Sequence, residues 1–184
     1  AGSYAEHVPV VHIVGAPARQ LQASRAMCHH YLGDGSPRIF ADMSKKVTVA
    51  QANLVDAEKA PEMIDDAIEQ CLIHSRPVYF EMPADMASAS ISAKRLDQPL
   101  KATFEAEEEL ENAQVDMLVR KIHSSKQPLI LVDRGGGVHY TLEEIKELVR
   151  VSGISTLAMP SGQGMIEIAT PNYYGVHSGP VGYI

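Results

Sequence analysis

The stretch "EKAPEMIDDAIEQCLIHSRPVYFEMP", Glu58 to Pro83, decides the fold class. Pro61 suits the first turn of a helix, where a missing N–H costs nothing, and Ile64, Ala67, Ile68, Cys71 and Leu72 repeat at helical spacing to form one apolar stripe. The spacing predicts a helix over Glu58 to His74. "RPVYFEMP" follows at once as a short apolar strand that Pro83 ends. An amphipathic helix running straight into a buried strand is the unit of an α/β layer architecture.

Working outward, "VPVVHIVGA", Val8 to Ala16, is apolar apart from His12 and is followed by Gly and Pro. This pattern predicts a strand over Val8 to Val14, buried on both faces of a parallel sheet. Residues from about Pro17 to Leu32 place Leu21, Met27, Cys28, Tyr31 and Leu32 at helical spacing, with Gly33 as the terminating left-handed residue. A short strand is expected near Val47 to Asn53. Residues 84 to 104 are small, polar and aperiodic, as in a connector. A second α/β unit then begins. Its helix "EAEEELENAQVDMLVRKIHSSK" is acidic at the start and basic at the end, its strand is "PLILVD", its next helix is "TLEEIKELVRVSG" with Thr141 as N-cap, and "STLAMP" is a further strand. The acidic run is expected to be a solvated helix face.

The bulk composition narrows the function classes. With 184 residues, 45% apolar, the chain can bury a core, and with a net charge of −7 and scattered basic residues it lacks the clustered cations that phosphate backbones require. No nucleic-acid partner is expected. No apolar run reaches the roughly 20 residues that span a bilayer. The two cysteines, Cys28 and Cys71, lie in apolar patterns and are expected to be reduced, so a cytoplasmic protein is the simplest reading. The first residue is Ala1, not Met, and the sequence stops at "HSGPVGYI", which suggests an excerpt of a longer polypeptide.

Five stretches carry candidate chemistry. Adjacent residues on a helix point about 100° apart, so His29 and His30 are a poor metal pair; one of them either satisfies a core and the other a helix end, or one imidazole enters a cleft as a proton donor or acceptor. "GDGS", Gly33 to Ser36, reads as helix stop plus turn. "DRGGGVH", Asp133 to His139, and the weaker "SGQG", Ser161 to Gly164, lie after strands where nucleotide loops sit, yet neither matches the full dinucleotide pattern. Glu6 and His7 are expected at the amino end of the first strand as a polar turn bonded to nearby backbone.

Taken together, "AGSYAEHVPVVHIVGAP", "CHHYLGDG", "RPVYFEMPADM" and "QPLILVD" resemble the thiamine diphosphate-dependent 2-oxo acid decarboxylases, most closely the eukaryotic pyruvate decarboxylases. The resemblance implies that residues 1–92 are the later part of a pyrimidine-binding domain, 93–104 a linker, and 105–184 the first part of a Rossmann-like central domain. It also implies that His29 and His30 are an active-site pair, with His30 the first choice for substrate contact. "GAPARQLQA", Gly15 to Ala23, would then be a mobile stretch covering the site. Thiamine diphosphate and Mg²⁺ would be held mainly outside these residues, which alone would not be active. The implied lyase is a cytoplasmic enzyme of fermentation, a homotetramer built as a dimer of dimers, turning pyruvate into acetaldehyde and CO2. Where substrate-activated members carry a cysteine and a nearby arginine, this chain has Gly135, Gly136, Gly137 and Val138, so cysteine-based activation is not expected, nor is a flavin. The competing readings are a decarboxylase of aromatic 2-oxo acids, a non-catalytic assembly protein on the same fold, and a nucleotide-binding module using the glycine turn.

Overall fold

The computed structural model describes residues 1–102, 107–135 and 141–179. Its contacts divide the chain into two compact units, Ala1–Phe104 and Glu105–Ile184. Each unit is a small parallel sheet with helices, an α/β architecture.

In the first unit the elements are α1 (Gly2–Ala5), β1 (Val11–Ala16), α2 (Arg19–Ala23), α3 (Ile39–Ser44), β2 (Ala50–Asn53), α4 (Ala60–His74) and β3 (Val78–Pro83). The strand order is β1-β3-β2, all parallel, with Val11 and Ala50 both opposite Val78. The helix α4 forms where the apolar stripe predicts it, with Pro61 in the first turn. It stops at Ser75, which adopts φ 46°, and the N–H of Arg76 then bonds back to the Cys71 carbonyl at 3.1 Å. The stripe packs on β2 and β3. Ala52, Leu54, Ala60, Ala67, Cys71, Val78 and Phe80 form the core, with Ile64 and Ile68 against it.

Two expectations are corrected here. Strand β1 is not buried on both faces: Ile13 is 61% exposed, because β1 is an edge strand and α4 lies over β2 and β3. The helix expected over Pro17 to Leu32 ends at Ala23, and Met27 and Leu32 stand exposed. Leu21 is exposed as well, so most of the apolar set finds nothing to pack on, and a short helix without packing does not sustain itself. The stretch read as a connector makes two bonds to α4. Arg95 Nε donates to Asp65 Oδ2 at 2.6 Å and the Lys101 N–H to Glu69 Oε1 at 2.7 Å, tying it to α4.

The second unit contains α5 (Glu108–Ser124), β4 (Leu129–Val132), α6 (Leu142–Ser152), β5 (Ser155–Ala158) and β6 (Tyr173–Val176), in the order β4-β5-β6, all parallel. Thr141 takes the N-cap position of α6, and Gly153 ends that helix at φ 60°. Val132, Val149 and Ile166 are its buried core. The Asn172 amide donates to the carbonyls of Val149 at 2.9 Å and Ile154 at 2.6 Å, fixing the passage from α6 into β5. β6 was not anticipated from its sequence, "YYGV", which is too short to show alternation. Helix α5 has no buried residue.

Phe80 fills the contact between β3 and α4. Phe80→Ala is expected to lower unfolding free energy by about 3–5 kcal/mol, read from urea denaturation; a loss under about 1 kcal/mol would contradict this account of the core.

Candidate active-site loop

His29 and His30 lie in a loop between α2 and α3, not on a helix. Ser24 closes α2, Arg25 turns to φ 54° and His30 to φ 68°. Left-handed backbone at residues other than glycine is uncommon and needs support from its surroundings. Part of that support is visible. The Ala26 N–H reaches the Leu21 carbonyl at 3.0 Å, the Tyr31 N–H the Cys28 carbonyl at 3.3 Å, and Asp34 Oδ1 accepts the Ser36 N–H at 2.9 Å. Gly33 to Ser36 is thus a turn inside the loop, ten residues after the helix it was expected to stop (33 − 23). Gly35, at φ 72°, lies so close to Arg25 that a Cβ would stand 2.9 Å from the Arg25 carbonyl oxygen.

The two imidazoles are brought together by this backbone. Their ring centroids are 4.0 Å apart, tilted by 57°, and both residues are exposed. Beside them Tyr31 packs edge-on against Phe40 of α3 at 5.1 Å. The small cleft within the loop, lined by Leu21, Arg25, Met27, Cys28 and Tyr31, has a volume of about 10 Å³, room for one water at most. A carboxylic acid substrate does not fit there. Among the described residues no three His, Cys, Asp or Glu side chains are grouped to hold a metal ion.

Under the loop lies an ion pair that the sequence reading missed. Glu81 on β3 is 3% exposed and accepts a hydrogen bond from Arg38 Nη1, the residue that caps α3. Burial pushes the Glu81 carboxyl up from its usual range, the Arg38 guanidinium pulls it back, and Asp42 adds to the rise. The same burial, and the nearness of Glu81, raise the phenols of Tyr79 and Tyr31. A lone carboxylate inside "VYFEM" was the available signal, since a charge in a buried strand requires a partner. A second pair, Arg19 with Asp85, joins α2 to the turn after β3.

The remaining candidates fall elsewhere. His7 and Glu6 form a turn after α1, ahead of β1, and His7 Nε2 meets Arg76 Nη2 at 2.7 Å where a backbone partner was expected. Arg76 also donates to the Tyr4 carbonyl and covers the Tyr4 ring. In the second unit Ser161 donates to Asp133, and Gly162 presses against the Val132 carbonyl so closely that no side chain fits. Gly136, Gly137, Val138 and His139 lie outside the described residues. Cys28 and Cys71 are both free thiols.

No protein-family model matches the chain. Curated proteins do. Over 180 residues it is 38% identical to the pyruvate decarboxylase of Aspergillus fumigatus, covering 97% of this chain and 32% of that one. The chain is related to the pyruvate decarboxylases. The pyruvate decarboxylase of Aspergillus parasiticus is 40% identical over 181 residues, 96% of this chain and 31% of that one. For pyruvate decarboxylase isozyme 1 of Saccharomyces cerevisiae the figures are 34% over 180 residues, 97% and 32%. The chain spans about a third of the length of the pyruvate decarboxylases it matches.

Two outcomes are expected from this geometry. Glu81 binds its proton more tightly folded than unfolded, so the stability of the native chain relative to Glu81→Gln should fall as pH rises above the ordinary carboxyl value of 4.5. Denaturant midpoints of both proteins between pH 4.5 and 7 measure this, and a difference that grows with pH would contradict it. Gly35→Ala should cost about 1–3 kcal/mol through its left-handed backbone and the collision with Arg25, seen as a lowered melting temperature.

Proposed function

We propose that these residues are one part of a larger thiamine diphosphate-dependent 2-oxo acid decarboxylase that converts pyruvate to acetaldehyde and CO2. The observation that carries the reading is the match to pyruvate decarboxylases over 97% of the chain. The exposed His29–His30 pair, on a backbone held out of its ordinary conformation, supports it. On this reading residues 1–92 belong to the pyrimidine-binding domain and 105–184 to the central domain.

Among the described residues no three His, Cys, Asp or Glu side chains are grouped to hold Mg²⁺, and the cleft within the histidine loop is too small for a diphosphate. Both are assigned to other parts of the enzyme. When bound, thiamine diphosphate supplies the electron sink for loss of CO2. What this chain supplies is the histidine pair. An imidazole can hydrogen-bond the substrate carboxylate through its N–H or pass a proton to the carbon that has lost CO2, and an exposed loop lets it approach a reactant held by neighbouring parts. His30, in the strained position, is assigned the substrate contact, and His29 the second proton site. Among the described residues no helix is long and apolar enough to cross a membrane. The reading is completed by a cytoplasmic homotetramer, a dimer of dimers.

His30→Ala in the full-length enzyme should retain its circular dichroism spectrum and thiamine diphosphate affinity while kcat on pyruvate falls by about 10²–10⁴-fold. Unchanged turnover would overturn the assignment. Faster turnover of phenylpyruvate than of pyruvate by the native enzyme would replace the substrate with an aromatic 2-oxo acid.

A further inference from the structure

One side chain joins the loops that leave all three strands of the first sheet. Arg19, the first residue of α2, follows β1 by three positions (19 − 16). Its backbone N–H donates to Asp85 Oδ1 at 2.9 Å, its Nε to Asp85 Oδ2 at 2.7 Å, and its Nη1 to the Val55 carbonyl at 3.0 Å. Asp85 sits in the 3₁₀ turn Ala84–Met86 directly after β3, and Val55 lies two residues past the end of β2 (55 − 53). Both oxygens of one carboxylate are therefore engaged by one residue, and these bonds hold the Asp85 carboxyl below its usual range. In open parallel sheets this carboxyl edge is where ligands are bound.

The clamp adds little to the stability of the fold. The side chains of Arg19 and Asp85 are 48% and 36% exposed, and a solvent-screened pair is weak. Its geometry, in contrast, is strict, because a forked guanidinium and a backbone N–H must reach the same carboxylate. A contact that is weak but closes in only one arrangement is suited to hold a segment that also opens. The segment in question runs from Arg19 to the second anchor, Arg38 on buried Glu81, and carries His29 and His30. Between the two anchors Ser24 Oγ donates to the Leu21 carbonyl at 3.1 Å, and Gln22 Nε2 reaches back past the first anchor to the Pro17 carbonyl at 2.6 Å.

We propose that Arg19 and Asp85 are positioning residues, a latch that closes the Arg19–Arg38 segment on the carboxyl edge of the first sheet and so sets where the histidine pair meets substrate. The proposal rests on the active-site reading of that pair. Arg19→Met and Asp85→Asn each release the latch while keeping side-chain volume close to the original. Arg19→Lys keeps the charge and loses the fork, so it should behave like Arg19→Met and not like the native enzyme. In the full-length enzyme these variants should melt within a few degrees of the native protein. Amide exchange of residues 19–30 should accelerate by about tenfold or more. kcat/KM on pyruvate should fall by about tenfold, with kcat and KM changing together as they do when a closing segment is loosened.

His30→Ala is measured alongside. If it is inactive while Asp85→Asn and Arg19→Met keep native kinetics and native exchange, the latch is overturned and the active-site reading stands. If His30→Ala keeps turnover, the reading itself fails, and the role given to the latch fails with it. Faster exchange with native kinetics also overturns the proposal, because the pair would then be a surface contact that positions nothing.

Discussion

Strand β3 has to meet two opposed requirements, and the first unit is arranged around them. Val78 and Phe80 are buried toward α4, where only apolar surface is stable. Glu81, one residue on, points its carboxylate into an environment nearly as closed. Two neighbouring residues of a strand face opposite ways, so one strand carries hydrophobic burial on one side and an ionic demand on the other. Helix α4 answers the first. Arg38, at the start of α3, answers the second, and in doing so it fixes the far end of the loop that holds the two histidines.

This arrangement explains how a loop with strained backbone can be specific in shape. The histidine loop has no regular hydrogen-bond ladder of its own. It is defined by what stands at its ends and by local turns between them, above all the approach of Gly35 to Arg25 and the Asp34–Ser36 turn. Stability resides in the sheet and α4. The histidine loop stands largely exposed, and there a small amount of free energy is enough to move a side chain. The same division appears in the second unit, where Asn172 and the core around Val149 hold the framework, and the Asp133–Ser161 contact lies at the strand ends.

Much of the framework was legible in the sequence, and the reasons are local. The stripe Ile64, Ala67, Ile68 and Cys71, with Pro61 ahead of it, needs only its own periodicity to be read as α4. The position of β1 was legible to within a few residues, but not its exposure, which depends on being an edge strand. Residues 17–32 carry helical spacing without a helix, because spacing shows what a helix would bury and not whether a surface exists to receive it. The histidine pair was found by resemblance and not by periodicity. Both ion pairs were invisible for another reason: Arg38 and Glu81 are 43 residues apart, and Arg19 and Asp85 are 66. No short window of sequence contains both partners.

The passage from α4 to β3 has a consequence for how such a chain can change in length. Only Ser75, Arg76 and Pro77 separate the helix from the strand, and Ser75 makes the reversal while buried and in a left-handed conformation. An inserted residue there would have nowhere to bulge. It would slide β3 by one position against both neighbours, turning Phe80 away from α4 and Glu81 toward it. Insertions and deletions should therefore be excluded from this joint and collect in stretches such as residues 87–93, which carry no strand pairing and stand largely exposed. The joint acts as a fixed length in the gene: variants on either side can drift, but the number of codons between helix and strand cannot.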